Sequence, residues 1–189
     1  MKNNKYLSKD GKVFNCAYQN LSELPLIPET LKTFWCYNNR LKELPELPKG
    51  LVVLWCSNNN LKELPELPKG LKELYCYSNN LEELPILPKG LESLYITNNL
   101  KELPRLPKGL KYLYCNSNKL KELPELPKGL KELCCYNNDD LKELPRLPKG
   151  LESLGCYNNN LPYDDLKGYW KWFYKENPDL GEANKMKLF

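Results

Sequence analysis

A repeat of about twenty residues runs through most of this chain and constrains its fold more than any other feature. One copy reads LKELPELPKGLKELYCYSNN, from Leu61 to Asn80. Its cysteine position, once isoleucine, recurs at spacings of 20, 20, 20, 20, 19, 20 and 21 residues: Cys16, Cys36, Cys56, Cys76, Ile96, Cys115, Cys135 and Cys156. The short spacing indicates a deletion after Asn99, and the long one reflects the extra pair Asp139–Asp140. Because one such repeat cannot bury its leucines alone, we predict a solenoid whose core exists only as a stack.

The second half of each repeat predicts a short β-strand. Leu74 and Cys76 are two residues apart and therefore point to one side of a strand, whereas Tyr75 and Tyr77 point to the other. Stacked repeats would pair these strands in parallel, about 4.8 Å apart. We expect the asparagine that follows the strand to hydrogen-bond buried backbone along the stack. The predicted members of this asparagine column are Asn39, Asn59, Asn79, Asn99, Asn118, Asn138 and Asn159.

The first half of each repeat, LKELPELPKG, predicts a return segment without a regular helix. Pro65 and Pro68 remove backbone donors and favour extended or polyproline-II backbone. The glycine before each strand is expected to supply a turn residue with positive φ. These glycines are Gly50, Gly70, Gly90, Gly109, Gly129 and Gly150. Lysines and glutamates recur side by side in this half, which favours a solvated edge over a phosphate-binding track.

The unit LPxLPxGLxxLxCxxNxLxxL, over residues 13–161, resembles the short leucine-rich repeats of bacterial secreted effectors. It is also similar to the cysteine-bearing repeat proteins of giant viruses of amoebae. The resemblance implies a curved, right-handed solenoid with a parallel sheet on the concave side, and recognition of a protein partner, often inside a host cell. Some of these effectors carry a ubiquitin-ligase domain after the repeats. Only 28 residues follow Leu161 here, so that ligase activity is not expected.

The two ends of the chain predict caps for the solenoid. Residues 1–12 form a polar lead-in with a turn at Asp10–Gly11, residues 13–161 form about eight rungs, and residues 162–189 form a capping helix and tail. The helix is predicted from an apolar stripe at Leu166, Tyr169, Trp170, Phe173 and Tyr174. Its start would be capped by Asp164 or Asp165, and its end enforced by Pro178. The alternative is a partner-docking helix with Trp172 as an anchor on its outer face.

The cysteine column admits four interpretations: disulfides, a metal site, a nucleophile or a packed core. Parallel side chains converge poorly for disulfides, and a straight column is not the tetrahedron that zinc requires. A nucleophile needs exposure and a base, and the chain has no histidine. Ile96 occupies the column in one repeat. An aliphatic side chain can replace a thiol in a packed core, but it cannot replace one in a reactive or metal-binding site. We therefore predict a structural core column. Cys134 precedes the column, should point outward, and is the thiol expected to react with a reagent.

Aromatic residues recur at the strand positions that point away from the core. Trp and Tyr dominate interface hot spots, and a contiguous exposed aromatic patch indicates a binding site. The alternative is a ladder of rings that only stabilises the sheet. The candidate protein-binding residues on the concave face are Trp35, Tyr37, Trp55, Tyr75, Tyr77, Tyr95, Tyr112, Tyr114, Tyr136 and Tyr157.

Composition narrows the function classes. The net charge of +4, with 24 acidic and 28 basic residues, gives little reason to expect nucleic-acid binding. The sequence contains no segment apolar enough to span a membrane, and its N-terminus lacks a secretory signal, so a cytoplasmic location is expected. No paired catalytic residues or phosphate loop are present, so we predict a monomeric, cofactor-free, non-enzymatic module that binds a protein. The alternatives are a ligand such as a glycan stacked on the aromatic row, or an adaptor that delivers a target to ubiquitin machinery.

Overall fold

The computed structural model describes residues 5–177. It contains eight three-residue strands and one helix. The strands are β1 (Val13–Asn15), β2 (Thr33–Trp35), β3 (Val53–Trp55), β4 (Glu73–Tyr75), β5 (Ser93–Tyr95), β6 (Tyr112–Tyr114), β7 (Glu132–Cys134) and β8 (Ser153–Gly155), and the helix is α1 (Leu166–Glu176). The strands form one sheet in chain order, and every neighbouring pair is parallel. The predicted solenoid with a C-terminal helix is therefore confirmed.

The strands pair in a register that aligns equivalent repeat positions. Leu54 lies opposite Leu74, and Trp55 lies opposite Tyr75. This register continues through all eight strands, so each repeat position becomes a row of side chains across the sheet. The inward rows form one continuous core of leucine and cysteine in which Leu71, Leu74 and Cys76 have no exposed surface. The return segments contain neither helix nor strand within residues 5–177.

An asparagine ladder satisfies the buried backbone between the rungs. At the seventh rung, the Asn138 amide nitrogen donates to the carbonyls of Cys115 (3.2 Å) and Cys135 (2.8 Å). The Asn138 amide oxygen accepts from the Leu120 backbone nitrogen at 3.1 Å. Asn39, Asn59, Asn79 and Asn118 repeat this arrangement, and Asn159 donates in the same way at the last rung.

The prediction for Asn99 is wrong, because Asn98 takes that place in the ladder. The Asn98 amide donates to the Cys76 carbonyl at 3.0 Å and accepts from the Asn79 backbone nitrogen at 2.7 Å. Asn99 contributes its backbone nitrogen to the Leu81 carbonyl, as Asn80 does to Leu61 one rung earlier. The one-residue deletion therefore lies before the ladder residue, and not after Asn99 as predicted.

The predicted positive φ angles at the glycines before the strands are also wrong. Gly11, at φ 71°, is the one described glycine in the left-handed region. Each PKGL segment forms a four-residue turn, in which the Leu51 nitrogen, for example, donates to the Pro48 carbonyl at 2.9 Å. The third residue of a type I turn has negative φ, so such turns need no left-handed glycine. Apart from Asn20, the left-handed non-glycine residues within residues 5–177 lie two positions after the cysteine: Tyr18, Asn38, Asn58, Ser78, Ser117, Asn137 and Asn158.

The N-terminal segment covers the first rung. Leu7 forms an antiparallel bridge with Phe14, and the Tyr6 carbonyl accepts from the Asn15 nitrogen at 2.8 Å. The Tyr6 ring packs against the Phe14 ring with centroids 5.7 Å apart. The lead-in therefore satisfies part of the backbone edge that a first strand would otherwise expose.

The C-terminal segment covers the last rung. The Asp164 carbonyl accepts from the Cys156 nitrogen at 3.1 Å, a bond that the next strand supplies at the earlier rungs. Asp165 caps α1 by accepting from the Gly168 nitrogen at 2.6 Å. Tyr169 is the buried residue of the helix, and its hydroxyl accepts from the Leu147 nitrogen at 3.4 Å. Among residues 5–177, no helix is both long and apolar enough to cross a membrane.

The predicted outward position of Trp172 is wrong. Trp172 packs against the core, with its ring 5.2 Å from Tyr163 and 6.0 Å from Tyr169 between centroids. Tyr163, in the loop before the helix, supplies a buried surface that the helical stripe alone does not reveal. Pro178, the predicted helix terminator, lies outside the described residues, and the helix is closed by Asn177 at its C-cap.

Candidate binding face on the outer side of the sheet

Three rows of side chains lie on the face of the sheet that the sequence analysis predicts as concave. Alternation along each strand places them there, since the leucine and cysteine between them point into the core. We call these rows together the ring face. The first row is Val13, Thr33, Val53, Glu73, Ser93, Tyr112, Glu132 and Ser153; the second is Asn15, Trp35, Trp55, Tyr75, Tyr95, Tyr114, Cys134 and Gly155; the third is Ala17, Tyr37, Ser57, Tyr77, Thr97, Asn116, Tyr136 and Tyr157.

Five rings of the ring face form a continuous series, and the Tyr18 ring, which lies outside the three rows, meets the first of them edge-on at an interplanar angle of 81°. In order they are Tyr18, Tyr37, Trp55, Tyr75, Tyr95 and Tyr114, with successive centroids 5.2, 4.3, 5.2, 4.5 and 4.3 Å apart. The stack crosses from the third row to the second between Tyr37 and Trp55. Ser57, the row neighbour of Tyr37, has a small and fully buried side chain, so the Tyr37 ring packs on the indole of Trp55 instead.

The stack is interrupted near the C-terminal end. Cys134 and Gly155 follow Tyr114 in the second row, and neither carries a ring. A separate pair, Tyr136 and Tyr157, stacks at 4.5 Å with an interplanar angle of 6°. Of the other predicted residues, Trp35, Tyr77 and Tyr112 make no ring contact within residues 5–177. The structure thus joins five of the predicted residues, with Tyr18 added, in one stack and two in another.

The stacking determines which part of each ring is accessible. Trp55, Tyr75 and Tyr95 each have another ring packed on both faces, so their faces are covered and their edges form the surface. These side chains are half-buried, so part of each ring edge stays accessible, although the Trp55 Nε1 atom is itself buried. A sugar or a base that stacks needs a free ring face. The interior of the stack therefore favours contacts to ring edges, which are typical of protein partners.

Two carboxylates that the sequence analysis did not single out lie on the ring face. Glu73 accepts a hydrogen bond from the Tyr75 hydroxyl at 3.1 Å, and Glu132 accepts one from the Tyr114 hydroxyl. Burial raises the pKa of Tyr75, and the Glu73 carboxylate adds to this effect. The bond to Glu132 raises the pKa of Tyr114, as does burial. The strand alternation that placed Tyr75 outward also places Glu73 outward, and this signal would have identified both glutamates.

The cysteine column lies in the core. Its seven thiols are free and have no exposed surface: Cys16, Cys36, Cys56, Cys76, Cys115, Cys135 and Cys156. Burial raises the pKa of Cys16 to about 11 and that of Cys56 to about 12. The thiolate, which is the nucleophilic form, is therefore scarce at neutral pH. Within residues 5–177, no three Cys, Asp or Glu side chains come together in a way that could hold a metal ion.

We expect Cys134 to be the thiol that reacts in the folded protein. Its side chain is half-buried, in contrast to the seven column thiols. Burial and the nearby Glu132 raise its pKa, so the reaction should be slower than that of a free cysteine. Treatment of the native protein with iodoacetamide at pH 8, followed by mass spectrometry, should find one adduct, at Cys134. Cys134→Ser should give none, and early labelling of a column thiol would contradict the buried column.

Comparisons with known proteins identify the repeats. The family described as "Leucine Rich repeats (2 copies)" matches residues 29–69. No curated protein sequence matches the chain. Among solved structures, YopM from Yersinia enterocolitica WA-314 is similar with a TM-score of 0.72 and 42% identity over 75% of this chain. A Shigella effector LRR domain is similar with a TM-score of 0.71 and 30% identity, over 86% of this chain and 74% of that domain.

The lengths of these proteins differ. The chain spans 32% of the length of YopM from Yersinia enterocolitica. YopM from Yersinia pestis, described as a leucine-rich effector protein, is similar with a TM-score of 0.52 and 32% identity over 76% of this chain and 54% of its own.

The predicted resemblance to bacterial effector repeats is confirmed, and the resemblance to giant-virus proteins stays a prediction. The chain belongs to the leucine-rich repeat family, with repeats similar to those of bacterial effector proteins.

Proposed function

We propose that this chain is a non-enzymatic recognition module that binds a protein partner on the ring face. The observation that carries the proposal is the series of five packed rings from Tyr37 to Tyr114, which presents a continuous line of aromatic edges on one face of the sheet. Edges of Tyr and Trp combine apolar contact with a polar group, and such residues dominate protein interfaces. The covered ring faces make glycan or base stacking the weaker alternative.

The setting that we propose is the cytosol of the producing cell or of a host cell. Eight free thiols suit a reducing compartment. The similar solved structures are described as effectors, and a host-directed role is the corresponding proposal for this chain. The adaptor alternative needs a second contact surface on α1. Trp172, its predicted anchor, packs on the core, so no observation favours that alternative.

The test compares capture of proteins from cytosolic lysate by the wild type and by a variant of the ring face. Tyr37→Ser, Trp55→Ser and Tyr95→Ser are combined, because these rings belong to the stack whose edges form the proposed contact surface, and their loss leaves the Tyr75–Glu73 and Tyr114–Glu132 bonds in place. The matched control is Leu26→Ser with Ile86→Ser, two side chains of the return segments that are 93% and 90% exposed. Circular dichroism checks the fold of each variant.

We expect a partner that the wild type and the return-segment control retain and that the ring-face variant loses. Equal capture by all three proteins would contradict the proposal, as would capture lost only in the return-segment control. Binding to a glycan array in the absence of any protein partner would instead support the stacking alternative.

A further inference from the structure

The charge on the ring face is opposite in sign to that of the whole chain. The chain carries 28 lysines and arginines and a net charge of +4. None of these cations occurs in the three rows of the ring face, in which Glu73 and Glu132 are the charged residues. Lysines stand just before the first row, but Lys72, Lys111 and Lys131 are paired with Glu92 and Glu152. The ring face itself therefore favours a cationic partner over an anionic one.

Neither carboxylate forms an ion pair with a described residue of the protein. Within residues 5–177, the ion pairs are Lys72–Glu92, Lys111–Glu92 and Lys131–Glu152, so Glu73 and Glu132 take part in none. Each accepts one tyrosine hydroxyl. A carboxylate offers about four acceptor sites, and the tyrosine occupies one of them. The two half-buried side chains are thus oriented by tyrosines and still able to accept a bidentate cation.

The register determines the separation of the two carboxylates. Glu73, Ser93, Tyr112 and Glu132 lie opposite one another on four consecutive strands. Three strand spacings amount to about 14 Å. An extended peptide that runs along this row advances about 3.3 Å per residue, so residues four positions apart are about 13 Å apart and point to the same side.

The surroundings favour arginine over lysine in such a peptide. The second row, with its stack of rings, lies beside the row of Glu73 and Glu132. Because Cys134 follows Tyr114 in that row, the Tyr95 ring is the one ring of residues 5–177 that packs on Tyr114. A planar guanidinium can contact an aromatic ring and pair with a carboxylate through two parallel hydrogen bonds. An ammonium group is a point charge that does neither as well.

We propose that the ring face binds an extended segment of a protein partner that carries two arginines four positions apart, one paired with Glu73 and the other with Glu132. The second row contacts the segment between them through its ring edges. This inference rests on the proposed function and specifies the chemistry of the partner.

The experiment is a calorimetric titration of the full chain with synthetic peptides. The probe is a nine-residue peptide of serine and threonine with arginine at its third and seventh positions. Comparison peptides carry lysine at both positions, or the two arginines two positions apart. The protein variants are Glu73→Gln with Glu132→Gln, and, as a matched control, Glu122→Gln with Glu143→Gln, two exposed glutamates of the return segments. Thermal melts confirm that each variant is folded.

We expect the Glu73→Gln, Glu132→Gln variant to bind the probe about tenfold or more weakly than the wild type, because two charge-assisted pairs are lost. The return-segment control should bind like the wild type, and both comparison peptides should bind more weakly than the probe. Equal affinity for both double variants, or no binding of the probe, would overturn the inference. Self-association of the wild type that is lost in Glu73→Gln, Glu132→Gln would assign the face to a second copy and also overturn it.

The two proposals can fail separately. A protein partner that is lost with Tyr37→Ser, Trp55→Ser and Tyr95→Ser but kept with Glu73→Gln, Glu132→Gln leaves the proposed function standing and refutes the arginine inference. A partner that is kept by both variants refutes the ring face as the binding site.

Discussion

Replacement of Asn138 by alanine should lower the free energy of unfolding by about 2–4 kcal/mol. Asn138 has no exposed surface. Its loss removes the acceptor of the buried Leu120 nitrogen and one of the donors to the carbonyls of Cys115 and Cys135. A buried donor without a partner costs more than the net value of the bond, and a small cavity adds to that cost. Guanidinium denaturation followed by circular dichroism measures the effect.

Asn98 and Asn99 provide a matched pair for the same test. Asn98→Ala should be destabilising, because its amide bonds the Cys76 carbonyl and the Asn79 nitrogen. Asn99→Ala should change stability by less than about 0.5 kcal/mol, since its side chain is exposed. A larger effect at Asn99 than at Asn98 would refute the position of the deletion.

The protein should unfold cooperatively near pH 10. Burial raises the pKa of Cys16 to about 11 and those of Cys56 and Cys156 to about 12, from an ordinary value of 9.0, and it also raises those of Cys36, Cys76, Cys115 and Cys135. The stabilisation from protonated thiols is complete below pH 9, the pKa of a thiol in the unfolded chain. It is lost as the pH rises toward the pKa values of the thiols in the folded protein. In that range each thiol lowers the free energy of unfolding by about 1.4 kcal/mol per pH unit. One pH unit above 9, the seven thiols together lower it by about 10 kcal/mol, which is comparable with the stability of a domain.

A variant with fewer thiols separates this effect from the ionisation of tyrosine. Burial also raises the pKa of Tyr75 and Tyr163. Ionisation of these tyrosines therefore also lowers the free energy of unfolding, but at higher pH. Cys56→Val with Cys76→Val removes two thiols from a column that already accepts Ile96. Its unfolding midpoint, followed by circular dichroism in a reducing buffer, should lie at higher pH than that of the wild type. Identical midpoints would contradict a role of the thiols.

The order of residues within one repeat predicts the inward and outward positions of its strand. The spacing Leu71, Leu74, Cys76 predicted a strand with an inward leucine and cysteine, and the structure places all three in the core. The glycines before the strands and Trp172 depart from the positions predicted in this way. The positive φ angle lies in the turn after the strand, where Asn38 and its equivalents donate their backbone nitrogens to the next rung. Trp172 is drawn to the core by Tyr163, a residue of the preceding loop.

The sequence by itself determined the solenoid, the inward columns and the set of rings on one face, because a repeat with period-two alternation can bury its leucines only as a stack. The tertiary structure alone decided which neighbours meet across rungs. It placed Asn98 in the ladder, moved Tyr37 onto Trp55 beside the small Ser57, and set Glu132 on the hydroxyl of Tyr114 in the neighbouring strand. These outcomes depend on contacts between residues about one repeat apart or more, where side-chain size and backbone register in adjacent rungs decide the packing.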